Sequence, residues 1–169
     1  LDPGPPATIV DCCHVGVLLQ GMFEALGLQS FAKTSGSKGL QVYAPLNSDV
    51  TFAQTKPFAR QVAELLERAE PDRVVSRQTR SLRPGKVLID WSQNDQHKTT
   101  VCVYSLRARE RPTVSTPVDW DEVRAALDSG DPKDLAFDAA QVLDRVSTRG
   151  DLLAPVLSLV QVLPQVAPA

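Results

Sequence analysis

Four groups of side chains in this sequence have the type and spacing to handle phosphate or a divalent cation. In the run Ser35-Gly36-Ser37-Lys38-Gly39, small residues let an anion approach, the amides of a tight turn converge on it, and Lys38 offsets its charge. Lys38 is not followed by Ser or Thr, and the run leads into an alternating apolar stretch instead of a helix, so a Walker-type P-loop does not fit. A hairpin turn that favours glycine fits the same residues. Asp90 closes the apolar run Val87-Leu88-Ile89, where a carboxylate is costly unless charged groups meet it. A metal ion, or an ion pair with Arg83 or Lys86, would satisfy it equally. Asp2 precedes a Pro3-Gly4 turn and could end a neighbouring strand. Two aspartates on adjacent strand ends beside a phosphate turn would make a divalent-metal and nucleotide site. Arg107 and Arg109 point to one side if the backbone there is extended, which suits polyphosphate and equally a solvated edge.

These groups need elements to position them. Apolar residues recur at three and four over residues 8–26, one face of a helix closed by Gly27. Residues 28–33 and 40–46 are two strands flanking the Ser35 to Gly39 turn. A second helix is expected over residues 55–70, with Pro57 tolerated in its early turn. Strands are expected at 74–77, 86–91 and 99–105, a loop at 111–118, and helices at 120–128, 132–146 and 152–162, with a tail over 164–169. No internal repeat occurs. The order is α+β, a mixed sheet flanked by helices.

Composition bounds the partners. With 169 residues and 43% hydrophobic content, the chain can bury one real core. A net charge of −2 gives no global basic field, so any polyanion must be met by a local patch. Cys12, Cys13 and Cys102 form no CxxC pair and no disulfide framework, which suits a reducing cytoplasm. The longest apolar stretch is interrupted by Pro155, Ser158 and Gln161, so no membrane segment is expected. His14, beside Cys12 and Cys13, cannot share an ion with them, because adjacent helical positions point about 100° apart. His97 lies in a polar turn, and Asp119, Asp121 and Glu122 around Trp120 suit a helix start.

The segments LDPGP, FAKTSGSKGLQVY, RPGKVLIDWSQN and VYSLRARERPTVSTPVDWDEV, in this order from residue 1 to about residue 124, resemble the primase-polymerase domain of the archaeo-eukaryotic primase superfamily. The form resembled is bacterial, attached to or encoded near ATP-dependent end-joining DNA ligases, and GLQVY and WSQND are similar to its stand-alone members. The resemblance implies an archaeo-eukaryotic primase-like fold, with residues 1–163 as the C-terminal portion of one catalytic domain. It implies that Asp2 is the second aspartate of an Asp-x-Asp motif whose first lies just before Leu1, and that Asp90 is the third metal-binding aspartate. Both would be catalytic, holding Mn²⁺ or Mg²⁺ in a two-metal site. Ser35 and Lys38 correspond to triphosphate contacts, Gln41 stands where the family usually has histidine, and Arg83, Gln93 and Arg107 correspond to the remaining nucleotide contacts.

The implied activity is template-directed nucleotidyl transfer in DNA end joining, gap filling or excision repair. Its implied partners are primer-template DNA or broken ends, ribo- or deoxyribonucleoside triphosphates, an ATP-dependent DNA ligase and an end-binding protein, in the cytoplasm at the nucleoid. The fragment by itself is expected not to extend a primer. A degenerate, non-catalytic module that binds nucleotide or DNA, or recruits a ligase, is the alternative, and Gln41 favours it.

Overall fold

The computed structural model describes residues 1–164. The tail expected over 164–169 therefore lies outside the described residues, except for Pro164.

Strand β1 (Asp2–Pro3) leads into helix α1 (Ile9–Ala25). Thr8 starts the helix through a capping box: its Oγ accepts from Val10 N at 3.2 Å, and its own N–H donates to Asp11 Oδ2 at 2.7 Å. The face carrying Ile9, Cys12, Val15 and Leu19 is buried, and Gly27, at φ +74°, follows the last turn. At Gly16 a Cβ would lie 2.9 Å from the Leu40 side chain, so glycine lets α1 sit close on the next strands.

Those strands, β2 (Phe31–Thr34) and β3 (Leu40–Tyr43), pair antiparallel from Phe31↔Tyr43 to Thr34↔Leu40. They form the hairpin expected from the sequence, with residues 35–39 as its tip. Helix α2 (Phe52–Ala69) begins three residues before the expected start, because Thr51 and Gln54 form a capping box, with Thr51 N donating to Gln54 Oε1 at 2.8 Å. Pro57 thus falls inside the helix and not in its first turn.

Strands β4 (Val74–Val75) and β5 (Val87–Leu88) are parallel, and β5 pairs antiparallel with β1 in the order β1-β5-β4. The expected strand over residues 99–105 does not form. The chain turns there, with Tyr104 at φ +64°, and the Tyr104 hydroxyl donates to Asp151 at 2.6 Å. The strand comes one step later, as β6 (Leu106–Arg107), paired with β7 (Thr113–Val114). The expected 111–118 loop therefore contains strands: β7, and β8 (Pro117–Val118), which pairs with β2 to give the order β3-β2-β8. Pro117 is compatible with β8 because that strand is an edge.

Helix α3 (Trp120–Ser129) starts at an Asp119–Glu122 capping box. The single helix expected over 132–146 is instead a 3₁₀ turn (Pro132–Leu135) followed by α4 (Ala139–Arg149), separately capped by Asp138. Arg145 and Arg149 reach from α4 to Glu122 at 2.5 and 2.9 Å. The helix expected over 152–162 is reduced to one 3₁₀ turn (Ala154–Leu157). Beyond it Gln161 is captured by residues near the hairpin: its N–H donates to Leu46 O at 2.7 Å, and its side chain donates to Pro45 O at 2.6 Å and accepts from Gln29 N at 2.7 Å. The core gathers α1, β2, β3, α2, β5 and α3 around Cys12, Val15, Leu40, Val62 and Val123.

Candidate active site

The pairing of β1 with β5 places the first carboxylates. Asp2 faces Leu88 across the ladder; the expected strand over 86–91 stops at Leu88, and Asp90 stands two residues beyond it, where the chain leaves β5 and enters a 3₁₀ turn (Trp91–Gln93). Lys38 reaches down from the hairpin tip to Asp2, with Nζ 3.0 Å from Oδ1, and donates to Pro3 O at 3.1 Å. Arg83 approaches the other oxygen of Asp2, Nη1 to Oδ2, at 3.7 Å. A lysine and an arginine thus converge on one half-exposed carboxylate.

Asp90 is held differently. Its Oδ1 accepts from Ser92 Oγ at 2.5 Å and Gln78 Nε2 at 2.9 Å, and its Oδ2 accepts from Gln93 Nε2 at 3.0 Å. Burial works to raise its pKa, but hydrogen bonds from Ser92, Gln93 and Gln78 hold it below the ordinary carboxylate range. The group is an anion at neutral pH, with lone-pair capacity left over.

The hairpin tip is built by its glycines. A Cβ on Gly36 would come within 2.6 Å of Ser115 N and 2.8 Å of Arg107 Cγ, and one on Gly39 within 2.3 Å of Leu1 O. These close approaches put Lys38 over β1 and Arg107 beneath the tip. Ser35 Oγ accepts from the amides of Ser37 at 3.2 Å and Gly39 at 3.1 Å, so the hydroxyl occupies the position an anion would take in such a turn. Arg109 donates to Ser37 Oγ. Arg107 makes no ion pair among the described residues.

Gln41, on β3, donates to Thr100 Oγ1 and receives the Tyr43 hydroxyl at 3.4 Å, so its amide is engaged within the protein. Asp90 lines a cleft of about 1150 Å³ whose walls include Val42, Leu46, Phe58, Ile89 and Trp91. Asp2, Ser35, Lys38, Arg83, Gln93 and Arg107 lie outside that lining. Three structural participants were not singled out in the sequence: Gln78, Ser92 and Lys33. Ser92 falls in a single 3₁₀ turn (Trp91–Gln93) and Gln78 in an irregular segment, where no periodicity marks them. Lys33 is buried at 1% exposure, its amine donating to Ser115 Oγ at 2.6 Å and Val101 O at 3.0 Å. Burial pushes its pKa down to about 8, Cys102 opposing and Arg107 adding to the effect.

Among the described residues no three His, Cys, Asp or Glu side chains gather to hold a metal ion. Two carboxylates still fit Mg²⁺ or Mn²⁺, hard cations that complete their shell with water and substrate phosphates. His14 Nε2 is buried without a partner in α1, Cys12 and Cys13 are buried free thiols, and His97 stands in an exposed turn with its N–H on Asp95 at 2.9 Å. No helix among the described residues is long and apolar enough to cross a membrane.

Residues 1–153 match the family described as LigD, primase-polymerase domain. The chain is 44% identical over 158 residues to the multifunctional non-homologous end joining protein LigD of Mycolicibacterium smegmatis, covering 92% of this chain and 20% of that protein. It is 32% identical over 151 residues to the bifunctional non-homologous end joining protein LigD of Bacillus subtilis, covering 89% of this chain and 24% of that protein. It therefore spans a fifth to a quarter of the length of these relatives. The polymerase domain of Mycobacterium tuberculosis ligase D, solved in complex with DNA, superimposes with a TM-score of 0.83 at 40% identity, covering 92% of this chain and 52% of that one.

Proposed function

The chain belongs to the LigD primase-polymerase domain family, and on that premise we propose that its complete form adds nucleotides in a template-directed reaction at broken or gapped DNA ends. The observation that carries this reading is the placement of Asp2 on β1 and of Asp90 just past the end of β5, the strand that pairs with β1, with Lys38 and Arg83 converging on Asp2. Asp2 and Asp90 are the side chains that would hold Mg²⁺ or Mn²⁺. Such ions would supply Lewis-acid chemistry there, acidifying an attacking hydroxyl and neutralising a leaving pyrophosphate.

The chain's own residues supply the rest. Lys38 and Arg83 contact Asp2 from a half-exposed surface, so both cations can exchange part of that contact for triphosphate oxygens. Arg107, beneath the hairpin tip and without an ion-pair partner among the described residues, adds a guanidinium for phosphate. Gln93 and Ser92 fix the Asp90 carboxylate by hydrogen bonds, so it need not reorganise when charge develops. Ser35 shapes the tip that carries Lys38. The substrates of this reading are primer-template or broken-end DNA and ribo- or deoxyribonucleoside triphosphates, and its partners are an ATP-dependent DNA ligase and an end-binding protein.

Gln41 favours a second reading, a non-catalytic module that binds nucleotide or DNA. Its amide carries no charge and is already bonded to Thr100 and Tyr43. Primer extension on a gapped template with Mn²⁺, comparing the full-length protein with its Asp90→Ala variant, separates the two. We expect extension by the first and none by a folded second. Equal rates would remove Asp90 from the mechanism, and no extension by either, with DNA still bound, would favour the non-catalytic module.

A further inference from the structure

One exposed amide joins the two halves of this site. Gln78, in the segment between β4 and β5, donates through Nε2 to Asp90 Oδ1 at 2.9 Å. Its Oε1 accepts from Arg83 Nη2 at 3.1 Å, and its backbone carbonyl accepts from the same Nη2 at 2.7 Å. Arg83 then extends Nη1 toward Asp2 at 3.7 Å. The Arg83 Nε is buried with no hydrogen-bond partner, so Gln78 supplies the hydrogen bonds that orient the guanidinium. A primary amide is the side-chain group that offers a donor to a carboxylate and an acceptor to a guanidinium from the same end. Leucine or alanine would serve neither neighbour, and a glutamate would place a like charge on Asp90.

Resting on the reading of Asp90 as a metal-site carboxylate, we infer that Gln78 is a positioning residue that fixes Asp90 for the metal and Arg83 for the triphosphate together. Outer partners of metal-ligating carboxylates commonly change metal affinity by about 10–100-fold when removed. Gln78 also makes the two subsites depend on one another, since displacing its side chain releases an anion on one side and a cation on the other.

The test uses the full-length protein, Mn²⁺ alone and a nucleoside triphosphate alone. Gln78→Met should weaken Mn²⁺ binding, read as unbound ion by electron paramagnetic resonance, by about tenfold or more. Its melting temperature should stay at the wild-type value, because the side chain is exposed. In triphosphate binding, the combined Gln78→Met and Arg83→Met losses should be smaller than their sum, since the second substitution removes what the first had misplaced. Mn²⁺ affinity within about twofold of wild type for Gln78→Met, or additive losses in the cycle, would overturn the inference. Asp90→Asn is the control: if it also binds Mn²⁺ as wild type does, the metal-site reading itself falls, whereas loss in Asp90→Asn with none in Gln78→Met sinks only the role of Gln78.

Discussion

Lys33 shows what a single side chain can cost and what it can hold. Its amine is buried without a carboxylate partner, yet it ties β2 to residue 101 and to Ser115 of the β7–β8 connection. With a pKa of about 8 in the folded chain against roughly 10.4 when unfolded, the unfolded state binds more protons across that interval. Stability therefore rises as pH rises through it, by at most about 1.4 kcal/mol per pH unit, and the charged amine costs its full penalty below about pH 8. Lys33→Met keeps the length and removes the charge. Urea denaturation at several pH values should show the stability of Lys33→Met relative to wild type falling between pH 8 and 10, and a constant difference would mean the amine is not titrating there.

At the scale of elements, the hairpin tip depends on backbone contact. Gly36 has φ +63°, and a Cβ there would lie 2.6 Å from Ser115 N, so Gly36→Ala combines left-handed strain with a backbone clash. We expect a loss of stability on the order of 1–3 kcal/mol, read as a lower urea midpoint at unchanged slope, together with displacement of Arg107, whose Cγ occupies the same space. The segment after α4 is held by the side chains of Gln161, Asn47 and Ser48. Gln161→Ala removes hydrogen bonds to Gln29 and Pro45 and should cost about 1–3 kcal/mol, with faster hydrogen exchange at the Gln29 amide. Unchanged exchange there would show that the Asn47 and Ser48 hydrogen bonds and the backbone bond to Leu46 pin this segment without the Gln161 side chain.

For the molecule as a whole, a net charge of −2 leaves DNA no general attraction, so the proposed binding must come from the local cations Lys38, Arg83, Arg107 and Arg109. Such binding should weaken steeply with salt, with a log–log slope near −0.9 for each duplex phosphate contacted. Removing one phosphate-contacting cation, as in Arg107→Ala, should reduce that slope by about 1 without changing sequence preference. A slope unaltered in this variant would take Arg107 out of the interface.

The sequence by itself determined α1 and its terminal glycine, the β2–β3 hairpin and its tip, and the α+β order. Those features rest on contacts between residues near in the chain, where periodicity and glycine turns act directly. The motifs also sufficed to identify the family, because residue types at fixed spacing survive without coordinates. Only the tertiary structure decided that residues 99–105 turn and that residues 111–118 supply two strands, since Tyr104 is held by distant Asp151 and β8 exists by pairing with β2. It alone decided that Lys38 and Arg83 meet at Asp2, from positions 36 and 81 residues away in the chain. Gln78 stayed hidden for the same reason: an amide in an irregular segment carries no pattern, and its place between Asp90 and Arg83 is set by how β4 and β5 pack, which no local rule specifies.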